Sequence, residues 1–530
     1  MALSHDGLLL IAEPKFQMSE SHLMRWQDLV VILLNLAVMV GIGVYCARRT
    51  RSADSYFLAD RSMPGWVVGF SMMATIISSM TFLAIPGSTF KDDWRFMPAH
   101  FLYFIPAAVG YFLFLPFFRR GHIRSAYEYL ERRFGTWARL YGAMAFLLFH
   151  LFRVGIILYA VSLVVHQMSA FPMPLIISFL GVLVAAYTIA GGLQAVIYTD
   201  FLQGLVLIAG GLICTPIIAN LLPGGWEQIF SEAYESGKFG VGSLALVFDE
   251  KTVWVIILVY QFQFLQIVCT DQSMVQRYLA MKTDKQARRG FVLGTALTIP
   301  VWLYFAFVGT ALYVFYKNFP TPELAGMEPE EVFPYFILTQ VPPGVAGFVI
   351  VGLLAAAMST LDSSINASAA TVTTDFYRRF RPSAGDEHHY LKVGRWFSLF
   401  FAAMMVAVAL YVHEARTETL MDLQTVVYPV VSAGLLSLFV LGFLTVRVGS
   451  TAAFIATAST VLIVAFWIFL TTEVGARAFP HLAGLLPNKF WIGVIPHLFL
   501  LAVGGLVTFF IPRRSDKGLE NLTIWTRTPE

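Results

Sequence analysis

Apolar runs long enough to cross a bilayer recur from residue 27 almost to the end of this chain. A run of ~18 or more apolar residues can span the hydrocarbon, and about thirteen such runs are legible. They fall at 27–46, 64–88, 97–118, 138–167, 171–190, 196–220, 252–269, 290–315, 334–375, 394–413, 424–446, 450–472 and 490–511. Each is read as a helix, because in lipid only helices and closed barrels satisfy their own backbone. The polar loops between them are mostly short. The expected architecture is therefore an all-α polytopic membrane protein, a single membrane domain over residues 1–530. The opening MALSHDGLLLIAEPK lacks the basic stretch of a secretory signal, so the first span is expected to remain as a helix.

Composition supports this picture. The chain is 57% hydrophobic and only 13% charged, whereas soluble domains carry about 25% charged residues. That excludes a disordered protein, a nucleic-acid binder and an ordinary cytosolic enzyme. Its cysteines, Cys46, Cys214 and Cys269, sit in apolar context without metal-site spacing, so neither a disulfide framework nor a zinc site is expected. The net charge of +3 says little until the charges are placed. Basic residues gather in alternate loops, as at Arg48, Arg49 and Arg51; Arg119, Arg120 and Arg124; Arg277, Lys282 and Lys285; Arg378, Arg379 and Arg381; and Arg513, Arg514 and Lys517. The positive-inside rule then places the N-terminus outside and the C-terminus in the cytoplasm of a multi-pass cell-membrane protein.

Polar groups kept in lipid mark where the work is done. The second span, GWVVGFSMMATIISSMTFLAIPG, crowds Ser71, Thr75, Ser78, Ser79 and Thr81 onto a helix that ends at Pro86-Gly87. Such a segment either breaks mid-membrane and turns carbonyls toward a cation or packs its small residues against a neighbour. In AAAMSTLDSSINASAATVTTDFY, Ala356, Ser359 and Thr360 share one helical face at i, i+3 and i+4. A carbonyl and two hydroxyls there suit a hard monovalent cation. Asp362 and Ser363 follow one turn on, and an intramembrane Asp must be paired, protonated or ion-bound. Asp200, in GGLQAVIYTDFLQG, reads either as an exposed helix cap or as a partner for a cation or for Asp362. Arg153, in FHLFRVGIILY, reads either as half of a structural ion pair or as a planar fork for a carboxylate. His150, one turn earlier, reads as a satisfied core histidine.

Taken together, GGLQAVIYTDFLQG, DQSMVQRYLAMK at 271–282 and MSTLDSSINASAATVTTDFYRR resemble the sodium/solute symporter family, in which the middle stretch is the loop after the seventh span. The resemblance runs over most of residues 27–380. It implies a leucine-transporter-like core of two inverted five-helix repeats. One extra N-terminal helix (27–46) precedes them, the repeats cover 64–220 and 252–446, and two further helices (450–511) follow. It implies a main sodium site built from the backbone oxygens of Ala74, Ile77 and Ala356 with the hydroxyls of Ser359 and Thr360. Some members bind a second sodium, for which Asp200 and Ser363 match and Asp362 replaces a hydroxyl. This set could hold sodium or share a proton as coupled acids do.

Within the family the likeness is greatest to bacterial sialic acid symporters, on SSMTFLAIPG, KDDW and FHLFR. That implies Ser78, Thr81 and Arg153 around a substrate carboxylate and Phe96 against its apolar part. His100 stands where the subgroup usually has Gln. Ile76 and Met80 stand where a galactose-type member has polar side chains, which disfavours a neutral hexose. The expected activity is sodium-coupled symport of a small, anionic solute such as a carboxylated sugar, with one or two sodium ions. The alternatives are symport of a neutral sugar, proline or a monocarboxylate, and, in a different class, a membrane sensor or channel. The sequence contains neither H-E-x-x-H nor G-x-S-x-G, so no enzyme is expected. Neither is a nucleic-acid or obligate protein partner.

Overall fold

The computed structural model describes residues 24–120, 123–169, 171–247, 250–381, 386–414, 434–511 and 519–526. The opening stretch read against a signal peptide, the basic residues Arg513, Arg514 and Lys517, and positions 424–433 of the eleventh expected span lie outside them. Among the described residues, the helices long and apolar enough to cross a membrane are α1 (Trp26–Ala47), the bent pair α2 (Gly65–Ile76) and α3 (Ser79–Lys91), α4 (Met97–Arg120), α5 (Thr136–Ser169), α6 (Met173–Leu221), α7 (Val253–Thr270), α9 (Asp284–Asn318), α10 (Val345–Phe380), α11 (Glu387–Glu414) and α13 (Ser450–Thr471), and two shorter apolar helices are α12 (Leu435–Leu444) and α14 (Ile495–Val507). Between α7 and α9 lies the short α8 (Gln272–Ala280). The protein is an all-helical, multi-pass membrane protein.

One expected gap is kept and two expected boundaries move. The spans 171–190 and 196–220 are the two arms of one helical run, α6, of 49 residues. At 1.5 Å per residue that is about 70 Å, more than twice the hydrocarbon thickness. The run folds at Gly192 (φ 59°, ψ −154°), a conformation essentially closed to residues with a Cβ. Any Cβ there would also meet Tyr56 Cδ2 at 2.5 Å. The single span expected at 334–375 is broken: a short helix, Val332–Gln340, ends before Pro342-Pro343, and α10 begins after Gly344. Proline supplies no N–H and pushes its predecessor out of the helical region. Finally, the second span does not end at Pro86-Gly87. Pro86 lies inside α3, which continues to Lys91.

Local chemistry explains the remaining ends. Asp28 of α1 accepts from the backbone N–H of Gly344 at 2.7 Å and of Gly347 at 2.8 Å, satisfying the orphan donors at the start of α10. Asp271 caps α8 by accepting from Ser273 N at 2.8 Å, and Thr283 caps α9 by accepting from Gln286 N at 3.2 Å. The core is tight where α2 crosses α9. A Cβ at Gly69 would meet Gly290 O at 2.7 Å, and one at Gly294 would meet Gly69 O at 2.9 Å. Glycines four apart on each helix let the backbones touch, the packing device of membrane helices. The small-residue packing reading of the second span is thus realised in its N-terminal half, and the broken-helix reading in its middle.

Candidate functional site

The site grows from the break between α2 and α3. Helix α2 stops at Ile76, Ile77 (φ −77°, ψ 114°) and Ser78 (φ −112°, ψ 176°) are extended, and α3 restarts at Ser79. The two helices are bent by 54°. A helix end leaves its last carbonyls without intrahelical donors. Facing that end is α10. Ser359 Oγ donates to Ala74 O at 2.9 Å and also lies 3.3 Å from Ala356 O, while Thr360 Oγ1 donates to Ala356 O at 3.4 Å. Ala74, Ala356, Ser359 and Thr360 therefore form one oxygen-rich contact between the broken helix and α10. Ile77 is buried in the break itself. The donor set is neutral carbonyl and hydroxyl oxygen, which suits a hard monovalent cation.

Beside the break lies a cavity of about 180 Å³. Ser78 of the break, Thr81 of α3, Phe96 and His100 at the start of α4, and Arg153 of α5 all line it. His100 is fixed by a 2.9 Å contact of Nδ1 with Phe96 O. Its ring stands edge-on to Trp302 at 4.6 Å and is tilted against Tyr260 at 5.1 Å. Arg153 is half-buried on the wall, its guanidinium carbon 5.9 Å from the centre of the Phe149 ring. The cavity thus pairs a cationic, hydroxyl-bearing side with an aromatic one.

The third group differs from the sequence reading. Asp200 is no exposed cap: it is fully buried, and Oδ2 accepts from Arg277 Nη2 at 2.7 Å and from Ser71 Oγ at 2.6 Å. Arg277, counted above among the loop charges, is equally buried, because 271–282 is largely the helix α8 rather than a loop. Arg277 also donates from Nη2 to Ser363 Oγ at 2.6 Å, from Nε to Ser71 Oγ at 2.8 Å and from Nη1 to Ser273 O at 2.7 Å. Asp362 accepts from Tyr187 Oη at 2.7 Å and Thr199 Oγ1 at 3.4 Å. Asp200 and Asp362 share one neighbourhood, but the partner of Asp200 is Arg277.

The model of the family described as sodium:solute symporter matches residues 56–459. The chain belongs to the sodium:solute symporter family. A sodium/sialic acid symporter of Proteus mirabilis is 30% identical over 481 residues, covering 90% of this chain and 94% of that one. The human sodium-coupled monocarboxylate transporter 1 is 28% identical, covering 86% and 74%. Among solved structures, a Na+-coupled sialic acid symporter whose substrate-bound, outward-open state reveals a novel sodium site aligns with a TM-score of 0.85 at 28% identity, over 92% of this chain and 98% of that one. This symporter accordingly carries the leucine-transporter-like inverted-repeat core. It is a sodium-coupled carrier of a small organic solute, not an enzyme.

Sequence reasoning missed the cavity's far wall in this symporter: Tyr260, Gln263 and Phe264 of α7 and Trp302 of α9. A signal was present. Gln261, Gln263 and Gln266 are uncharged but polar residues inside an otherwise apolar span, and such residues in lipid are functional candidates.

Proposed function

We propose that this symporter imports a small carboxylated solute, a sialic acid or a related acidic sugar, with sodium held by Ala74, Ile77, Ala356, Ser359 and Thr360. The observation that carries the reading is the meeting of Arg153, Ser78, Thr81, Phe96 and His100 on one cavity beside the helix break. Arg153 offers a planar fork to the carboxylate, Ser78 and Thr81 add hydroxyl donors, and Phe96 lies against the apolar part. Sodium bridging α2 and α10 favours the outward-open state with a formed pocket, and the solute then favours occlusion and inward opening. Each ligand drives this only by its differential affinity for the two states.

A second substrate reading, a short monocarboxylate, is favoured by the apolar share of the wall: Ile76, Met80, Ile85, Ile157 and Ile267. Asp200, Asp362 and Ser363 form a second cation site in this reading. Two carboxylates face one guanidinium there, which leaves one negative charge for a sodium ion or a proton. The repeats are assigned to 64–220 and 252–446, with the N-terminus outside and the C-terminus in the cytoplasm.

A thermal-shift screen of purified protein, with and without sodium, tests the substrate. It compares N-acetylneuraminate, other acidic sugars, hexoses, proline and lactate, since a ligand specific to the native state raises the melting point. Stabilisation by N-acetylneuraminate in sodium but not in potassium supports the reading. Stabilisation by hexose or proline alone contradicts it. Accumulation of solute against its gradient separates a carrier from a channel or sensor.

A further inference from the structure

His150 lies one turn before Arg153 on α5 and is almost completely buried. Its two ring nitrogens reach two other elements. Nδ1 lies 2.8 Å from Ser364 Oγ on α10, and Nε2 lies 2.9 Å from Asp271 Oδ2 at the α7–α8 junction. Ser364 Oγ lies in turn 2.8 Å from the carbonyl oxygen of Thr360. The other oxygen of Asp271 accepts from both the N–H and the hydroxyl of Ser273.

Ser364 has one hydroxyl proton. It goes either to Thr360 O, with Ser364 Oγ accepting from Nδ1–H, or to Nδ1, with Nε2–H donating to Asp271. In either tautomer His150 is bonded to both Ser364 and Asp271. A continuous chain of contacts therefore runs from the turn of α10 that carries Ser359 and Thr360, through Ser364 and His150, into the turn of α5 that carries Arg153. Asp271 anchors it from a third side and lies within electrostatic reach of Arg153.

We infer that His150 is a positioning residue that couples sodium occupancy at Thr360 to the placement of Arg153 for the anion. The inference rests on the site reading above. If His150 only filled space, an apolar side chain would serve. A buried imidazole bonded on both sides instead holds its partners in one discrete arrangement. An ion that draws in the Thr360 turn displaces Ser364, and with it the imidazole and the Arg153 turn. Coupling carried this way is reciprocal: sodium raises affinity for the anion by the factor by which the anion raises affinity for sodium.

The test is equilibrium binding by purified full-length protein. N-acetylneuraminate is titrated in sodium and in potassium buffer, and sodium is titrated alone and with saturating N-acetylneuraminate. Wild type, His150→Gln and Ser364→Ala are compared. Ser364→Ala removes only one hydroxyl, which keeps the test open should His150→Gln misfold. Wild type should show a coupling factor in the usual range of about 5- to 150-fold. In both variants that factor should fall toward one, while the affinity for sodium alone stays within about threefold of wild type, since no sodium ligand has changed. A wild-type factor retained in Ser364→Ala overturns the role of His150. An equal loss of both single-ligand affinities, with the factor unchanged, also overturns it and marks a structural residue. No sodium effect in wild type would overturn the site reading itself, and this role with it.

Discussion

The hydroxyl of Ser359 on α10 donates to the carbonyl of Ala74 at the end of α2, at 2.9 Å. This contact joins the broken helix to the helix that supplies the other oxygens of the proposed sodium site. Here the hydroxyl proton points at a carbonyl that would face the ion, so sodium binding must turn the proton away and bring both oxygens onto the metal.

Removing one of those oxygens should weaken sodium without touching the solute directly. Thr360→Ala is expected to raise the sodium concentration for half-maximal uptake by about tenfold or more, as hydrogen bonds to charged groups contribute roughly 1.5–3 kcal/mol. The shift should be the same for any transported solute. Initial rates of uptake across a sodium series check this.

Arg153 should act on the solute alone. Arg153→Ala is expected to abolish uptake of an acidic solute, since truncating one partner of a buried charge pair costs about 2–5 kcal/mol, while sodium still raises the melting point. Arg153→Lys should recover only part of the uptake, because an ammonium cannot make the two-pronged contact. Normal transport by Arg153→Ala would favour the ion-pair reading, with Asp271 as the nearby acid.

Arg277 and Asp200 form a fully buried pair. Breaking such a pair from one side costs roughly 3–5 kcal/mol, whereas removing both charges together is far milder. Arg277→Met and Asp200→Asn should each lower the melting temperature sharply. The double variant should be more stable than the less stable of the two, a non-additivity that scanning calorimetry in detergent would read.

Glu131, on the amphipathic helix Ala126–Phe134 outside the spans, accepts from Arg139 at 2.5 Å and Arg379 at 2.7 Å. Burial alone would raise its carboxyl, but the two guanidinium groups outweigh it and hold it below its ordinary value. A depressed carboxyl stabilises the fold above its unfolded value and loses that contribution as pH falls through the folded one. Glu131→Gln should therefore lower the melting temperature near neutral pH and make its fall in acid shallower. Melting curves between pH 7 and pH 3 check this.

Much of the fold was legible because lipid imposes a simple rule on sequence: long apolar runs are helices. The break at Gly192 falls in the gap left between the spans expected at 171–190 and 196–220. The break at 342–344 inside the span expected at 334–375 was not seen, because the residues on both sides of it are apolar. The face shared by Ala356, Ser359 and Thr360 was visible from spacing alone, whereas its apposition to Ala74 depends on how α2 bends. Arg277 was misread because charge near a loop looks solvated. Its burial follows from Asp200, Ser71 and Ser363 converging on it, a tertiary fact that no window of sequence contains.

The most direct test is solute accumulation in proteoliposomes carrying purified protein, driven by an inward sodium gradient and repeated with potassium or choline in its place. The account predicts concentrative uptake of N-acetylneuraminate in sodium alone, lost in Thr360→Ala at low sodium and in Arg153→Ala at any sodium. Equal accumulation in potassium or choline would contradict it.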